Sequence, residues 1–315
     1  MKISVQTQPT VNRFGIKDAY RLIREAGFEA IDWGLDQAWK TNEVFNAKEF
    51  SGLCIFETND TEAALRRYSE ELNAMKENGL ALTQLHTPCP PFTHGRYEVL
   101  EYAIRVYRNM IHFSQEVGCP RMVIHALSEV TPPDYRRVIS TEECDRLNYH
   151  LFESLIPDLQ QTDVTVCIEN LWVPCYGRSD YDIYDGAFTK PLEANKMIDN
   201  LNAKAGKKCF GICLDTGHLH LTRTRFTEYI PIVENRLCAL HIHDNMQFND
   251  SHRMPYAGSI RWEEFLSSLK QIGYDGDLNF EICSQVGLIP KELVPSFMRT
   301  IYDTGAYFRN YIQGK

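Results

Sequence analysis

Hydrophobic and polar positions alternate with a period of two in eight short stretches of this chain. Between them, apolar residues recur every three or four positions. In VTVCIEN, Val164, Val166 and Ile168 share one face while Thr165, Cys167 and Glu169 share the other, because successive side chains on a strand point to opposite sides. The same split sets Ile212 and Leu214 against Cys213 and Asp215. It sets Leu240 and Ile242 against Ala239, His241 and His243, and Leu278 and Phe280 against Asn279 and Glu281. Each strand therefore offers an aliphatic face to helices and a small or polar face to an interior. Four earlier stretches, KISVQTQ, FEAIDWGL, LALTQLH and RMVIHAL, also read as strands. Helical spacing predicts helices over IKDAYRLIREAG, with Gly27 as cap, and over YEVLEYAIRVYRNMIHFSQEVG. Others are expected near 61–78, 141–161, 192–202, 226–235 and 262–272, with a last one beginning near Lys291.

Strands alternating with helices argue a parallel sheet. Eight such units with polar strand ends argue closure, so the fold class expected is α/β, a single (β/α)8 TIM barrel over 1–315 with an inserted rim loop near 36–59. The length of 315 residues suits a barrel with insertions. Composition adds exclusions. No apolar run reaches the roughly 18 residues of a membrane span, and MKISVQTQ enters a strand without an apolar leader, so a cytoplasmic location is expected. Of ten cysteines, Cys167, Cys213, Cys238 and Cys283 fall in strand stretches and none forms a CxxC pair. Small buried thiols are expected rather than disulfides. A net charge of -9 gives no electrostatic footprint for nucleic acid or an anionic membrane, although a local basic groove stays compatible with it.

The polar strand ends carry the chemistry. Glu169, Asp215, His241 and Glu281 close four successive strands, and three carboxylates with one imidazole form a ligand set for a divalent cation. They lie at C-terminal strand ends, where barrel enzymes assemble their sites. More titratable groups converge there: His86 ends strand three, His125 ends strand four, and His218 lies three residues past Asp215. Asp250 and His252 form a D-x-H element in the loop after strand seven. His243 reads as a residue that holds a ligand in orientation. His94, His112, His150 and His220 have no such position and read as structural or solvated.

The stretches CIEN, CLDTGH, LHIHDN, HRMPYAGSIRWEEFLSSLKQIGYDG and LNFEI occur in order at barrel spacing. With them the chain resembles the xylose-isomerase-like barrel family, which includes sugar isomerases, ketose epimerases, inosose dehydratases and endonuclease IV. The resemblance spans nearly the whole chain and is sharpest from Val164 to Ile282. It implies that Glu169, Asp215, His241 and Glu281 bind a catalytic Mn, Mg, Co or Zn ion, and that His218 contacts substrate or a further metal. It implies proton transfer beside a sugar carbonyl through an enediolate, with Glu169 and Glu281 as the catalytic pair. His86, His125, His218 and His252 would face the substrate, a small carbohydrate, polyol or keto acid.

Three alternatives stay open. A metal-dependent lyase, dehydratase or C-glycoside-cleaving enzyme begins with the same proton abstraction. A sugar-binding protein without turnover is weakened by the presence of both carboxylates. The ligand pattern of endonuclease IV, a multi-zinc phosphodiesterase, can be laid onto His86, His125, Glu169, Asp215, His218, His241, Asp250, His252 and Glu281. On that pattern, additional metal would be held through His86, His125, His218, Asp250 and His252. Against DNA stand rim loops with few cations: Lys40 and Lys48 in the insertion and one arginine in TPCPPFTHGR. No membrane or nucleic-acid partner is expected, and homo-oligomerisation is left open. The chain departs from ketose epimerases after strand five, where another glutamate is usual and NLWVPCYGR stands instead, with Cys175. Trp33, Trp39, Phe45, Phe50 and Phe56 serve either as a specificity lid or as packing. Trp172 and Tyr176 either stack on a sugar ring or cover loop backbone.

Overall fold

The computed structural model describes residues 1–315 except 91–95, 129, 132–135, 138–139 and 176–181. His94, Pro132, Pro133 and Tyr176 lie outside the described residues. Eight parallel strands succeed one another along the chain: β1 Ile3–Gln6, β2 Ala30–Gly34, β3 Ala81–His86, β4 Arg121–His125, β5 Thr165–Glu169, β6 Phe210–Asp215, β7 Leu237–His241 and β8 Leu278–Phe280. Their hydrogen-bonded order is β7-β6-β5-β4-β3-β2-β1-β8. Closure comes where Ile242 bridges Phe280 in parallel, with the Ile242 amide donating to Asn279 at 2.8 Å and the Glu281 amide donating to Ile242 at 3.1 Å. The result is a nearly closed TIM barrel with helices around it, as the alternation predicts.

The face assignment holds residue by residue. Val166, Ile168, Ile212, Leu214, Leu240, Leu278 and Phe280 join the buried layer between strands and helices. Val123, Cys167, Cys213 and Ala239 form a separate cluster inside the barrel. Burying each large aliphatic or aromatic side chain is worth about 1.5–3 kcal/mol, so the outer layer carries the stability. The interior divides by strand: β4 to β7 line it with these apolar groups and thiols, while β8, β1, β2 and β3 bring in buried Asn279, Ser4, Asp32 and Gln84. The eight cysteines whose side chains are described are all free thiols.

Several helices differ from the expected spans. The 61–78 helix is two, Thr61–Arg67 and Ser69–Glu77. The 141–161 helix ends at Glu153 and restarts as Ile156–Leu159, since Pro157 has no amide hydrogen and its ring would clash with the Glu153 carbonyl. Strand one stops at Gln6 because a helix, Gln8–Phe14, begins at once, with Pro9 in its first turn. Two more short helices come directly after strand ends, Thr216–Leu221 and Cys283–Leu288. An antiparallel ribbon joins Trp172–Cys175 to Asp182–Asp185. Gly27 does cap its helix at φ 111°, and a Cβ there would lie 2.9 Å from the Tyr302 ring, which reserves the position for glycine.

The inserted segment folds as a 3-10 turn Asp36–Ala38, a helix Thr41–Asn46 and a second turn Ile55–Glu57. Its aromatics pack rather than face the barrel mouth. Trp39 is buried against Tyr102 and Tyr107, Phe50 stacks on Tyr102 at 5.2 Å, and Phe56 stacks on Tyr68 at 5.9 Å. Trp33 belongs to β2 and donates from its indole to Glu71 at 2.7 Å. The packing alternative holds for these four; Phe45 carries the Arg96 guanidinium over its ring.

Candidate metal centre

Strand register brings the expected ligands level with one another. His125 on β4 pairs with Glu169 on β5, and Asp215 on β6 pairs with His241 on β7. Glu281 lies one residue beyond β8 and is held over the barrel by the Gln6 side-chain amide, which donates to its Oε1 at 3.0 Å. One ligand atom from each of Glu169, Asp215, His241 and Glu281 falls within 4.8 Å of all the others. Each of these residues is at most 7% exposed.

The contacts within this group suit a cation better than hydrogen bonds. His241 Nδ1 lies 3.1 Å from Glu169 Oε2 and 3.2 Å from Glu281 Oε2. Yet Glu169 Oε2 and both ring nitrogens of His241 are buried without a hydrogen-bond partner among the described residues. Orphaned polar atoms this deep are costly. Lone pairs about 3 Å apart are the spacing of neighbouring ligands around an octahedral ion with bonds of about 2.1 Å. The donor set of carboxylate oxygens and one imidazole fits Mg, Mn, Co or Zn.

Second contacts orient the group. Asp215 accepts the His218 amide hydrogen at 2.6 Å, capping the helix Thr216–Leu221, and its other oxygen faces His243 Nε2 at 2.9 Å. Asn170 clamps the Asp215 backbone from both sides, accepting its amide hydrogen at 2.7 Å and donating to its carbonyl at 3.1 Å. His243 thus has the orienting position expected for it. Asn170 and Gln6 are further site residues, Gln6 closing β1 and Asn170 following directly on β5.

The four histidines expected at the rim separate into two pairs. His86 and His125 point Nε2 at Glu169 Oε2, at 3.6 and 3.1 Å. His218 and His252 both place Nε2 3.1 Å from Asp250 Oδ2, and the His252 ring stacks on His243 at 4.1 Å. The sequence-predicted residues therefore converge as three adjacent groups sharing one mouth. Of the histidines set aside, His112 bonds to Asp158, His150 to Glu101 and His220 to Ser259.

These pairs polarise one another strongly. Burial alone would raise the Glu169 carboxyl, but His125 and His241 hold it well below the ordinary range. Burial is likewise outweighed at Asp250 by His218 and His252, and at Glu281 by His241 and His252. Burial would lower His218, yet Asp215 and Asp250 hold it well above the usual imidazole value. At neutral pH the candidate proton acceptors are thus carboxylates.

A cavity of about 630 Å³ opens over the group. His86, Cys89, His125, Glu169, His218, Asp250, His252 and Glu281 line its floor, and Gln8, Asn12 and Arg13 of the first short helix form a wall. From the insertion, Gln37 reaches it. Trp172 lines a separate cavity of about 540 Å³ instead. One more buried acid, Asp32, sits beneath the floor with Oδ2 3.3 Å from His241 Nε2. The period-two pattern had a signal for it, since Asp32 is the polar position between Ile31 and Trp33.

Known proteins with this architecture are consistent with the geometry. A family model described as xylose isomerase-like TIM barrel matches residues 20–299. The uncharacterized protein y4fM of Sinorhizobium fredii is 26% identical over 294 residues, covering 89% of this chain and 86% of its own. Among solved structures, D-psicose 3-epimerase of Clostridium cellulolyticum H10 with D-tagatose aligns with a TM-score of 0.69 at 13% identity, covering 98% of this chain and 99% of that one. The 3-keto-D-glucoside 4-epimerase YcjR of E. coli aligns with a TM-score of 0.61 at 18% identity and the same coverage. Identities this low speak for the fold, whereas the family model spans most of the sequence. With eight parallel strands carrying acids and histidines to one rim, the chain belongs to the xylose isomerase-like TIM barrel family.

Proposed function

We propose that this protein is a divalent-metal-dependent sugar isomerase or epimerase that works by proton transfer beside a carbonyl. The observation that carries the reading is the meeting of Glu169, Asp215, His241 and Glu281 within 4.8 Å, with Glu169 and Glu281 lining a sugar-sized cavity. Structural neighbours described as sugar epimerases support it. An ion held by these four would supply positive charge to the oxygens on which negative charge develops as the proton leaves. Glu169 and Glu281 are the catalytic pair: one takes the proton and the other returns it, to the adjacent carbon for isomerisation or to the opposite face for epimerisation. His86 has Nδ1 directed to the Thr87 carbonyl at 2.8 Å, so its Nε2 is turned toward Glu169 at the cavity floor, where it fits a sugar oxygen. His125 serves beside it. The substrate is a small carbohydrate, in a cytoplasmic setting, and no nucleic-acid partner is invoked.

The test joins metal content with turnover. Purified protein is assayed for bound Mn, Co and Zn, then offered ketoses and inososes in deuterium oxide. Interconversion with solvent deuterium at the carbon beside the carbonyl is expected. Elimination of water instead would make the enzyme a lyase using the same first step. No turnover of any sugar by metal-loaded protein would sink the reading.

A second reading has its own observation. His86 and His125 around Glu169, and His218 and His252 around Asp250, flank the central group as two further clusters. That arrangement suits a multi-metal phosphodiesterase. Three tightly held ions per chain together with cleavage of abasic DNA would favour it; one ion per chain favours the sugar enzyme.

A further inference from the structure

We propose that Asp32 is the positioning residue for His241, fixing its ring so that Nδ1 faces Glu169 and Glu281 and setting the metal affinity of the group. The inference rests on the metal-binding reading of the site.

Asp32 is a carboxylate where a barrel interior ordinarily has an aliphatic side chain. It is 0% exposed on β2. Among the described residues, no lysine or arginine forms an ion pair with it; its one ion-pair partner is His241, with Oδ2 3.3 Å from Nε2. Two neutral amides, Gln84 and Asn279, each donate to the same oxygen at 3.0 Å. The Asn279 amide is held in turn by Ser4, whose hydroxyl donates to its Oδ1 at 3.1 Å. Burying a carboxyl group in this interior costs desolvation, and Oδ1 has no hydrogen-bond partner among the described residues, while three groups from β1, β3 and β8 hold Oδ2 toward His241.

The orientation matters because the ring has two ends with opposite needs. Nδ1 looks at two carboxylate oxygens, at 3.1 and 3.2 Å. With no acceptor oxygen facing Nε2, those carboxylates would draw the ring proton onto Nδ1 and leave no lone pair for an ion. Asp32 competes for that proton from the other side. Nε2 faces Asp32 Oδ2 at 3.3 Å, within ion-pair distance though without a formed hydrogen bond, so an Nε2–H directed there would leave the Nδ1 lone pair toward the oxygens of Glu169 and Glu281. A carboxylate behind a ligating imidazole is the usual way of fixing its tautomer and raising its basicity.

The experiment compares the native protein with Asp32→Asn. Competition with a chelator gives the Kd for Zn and Mn, and Asp32→Asn is expected to weaken it about 10- to 100-fold, with near-ultraviolet dichroism confirming the fold. The native zinc form carrying 15N-histidine is expected to show a protonated, slowly exchanging Nε2 on the ring whose signals vanish in His241→Ala. That second measurement needs no folded Asp32 variant. A Kd within twofold of native in folded Asp32→Asn would overturn the proposal, and so would a zinc form with His241 protonated on Nδ1. A native protein that takes up no divalent ion on dialysis would overturn the metal reading itself, and Asp32 with it. Tight binding to native protein with an indifferent Asp32→Asn overturns the Asp32 role alone.

Discussion

Glu169 touches His86, His125, His218 and His241 within 3.6 Å, so a single carboxylate joins all three clusters at the rim. If it and Glu281 exchange the substrate proton, Glu169→Gln and Glu281→Gln should each lower kcat about 100- to 10,000-fold at saturating metal. The amide keeps the shape and one oxygen but accepts no proton; a near-native rate in either variant would end the two-carboxylate mechanism. Asp215→Asn and His241→Ala should instead release the tight ion while the circular dichroism spectrum persists, because the stabilising aliphatic layer lies elsewhere. Retained stoichiometric metal in both would refute the ligand assignment. Gly217 tests the support behind them. A Cβ there would lie 2.0 Å from His243 Cε1, and His243 is pinned between Asp215 and the His252 ring. Gly217→Ala should therefore cost about 1–3 kcal/mol and weaken metal binding, checked by denaturant melts and the same chelator titration. These residues were legible to different degrees. The ligands end strands whose alternation is clean, whereas Asp32 and Asn279 look like any inward polar position until a partner across the barrel is known.

At the scale of elements, the helix of the insertion is tied down by Arg96. Arg96 donates to the carbonyls of Phe45 and Ala47, bonds to Glu98 and lies over the Phe45 ring. Arg96→Ala should loosen the helix Thr41–Asn46 with little change in global unfolding. Limited proteolysis should then cut first within 41–57, and KM should rise more than kcat falls, since Gln37 of this segment lines the cavity. Unchanged cleavage kinetics would place the anchor elsewhere. Long helices and strands were readable from their periods. The helices Gln8–Phe14, Thr216–Leu221 and Cys283–Leu288 were not, since six or seven residues give at most two turns of pattern. They nonetheless wall the cavity or carry His218, because barrel sites are built from the segments that leave the C-terminal end of each strand.

For the whole molecule, the rim is a network of acids and imidazoles whose protonation a bound cation would change. Without an ion, burial lowers His218 and His125 but their acidic neighbours raise both well above the usual value. A raised imidazole contributes stability in full below about pH 6.5 and loses it as pH climbs through the folded value. Glu169, Asp250 and Glu281 are lowered despite burial. Their contribution is full above about pH 4.3 and is lost as pH falls through the folded values. Chelated protein should thus be most heat-stable between about pH 4.3 and 6.5. With saturating Mn or Zn the alkaline side should invert, Tm rising from about pH 6 to 8, since ligands must shed protons to bind. Melting curves from about pH 4 to 9 with and without chelator decide it. A chelated protein that gains stability through neutral pH would mean the imidazoles are uncharged.

By itself the sequence determined the order of eight strands and helices, which face of each strand is aliphatic, and which acids and histidines stand at strand ends. Those are local properties, set by side-chain period and by the residues that start and stop each element. It did not determine which atoms meet. Asp32 reaches His241, and His218 shares Asp250 with His252, only because β8 closes the sheet between β7 and β1 and the loops fold back over the mouth. Nor could alternation tell a lid from packing, since Trp39 and Phe56 are equally apolar in either role and only the surface that receives them decides. Strand ends are written in the chain one at a time; the cluster of acids and histidines exists only where closure makes them neighbours.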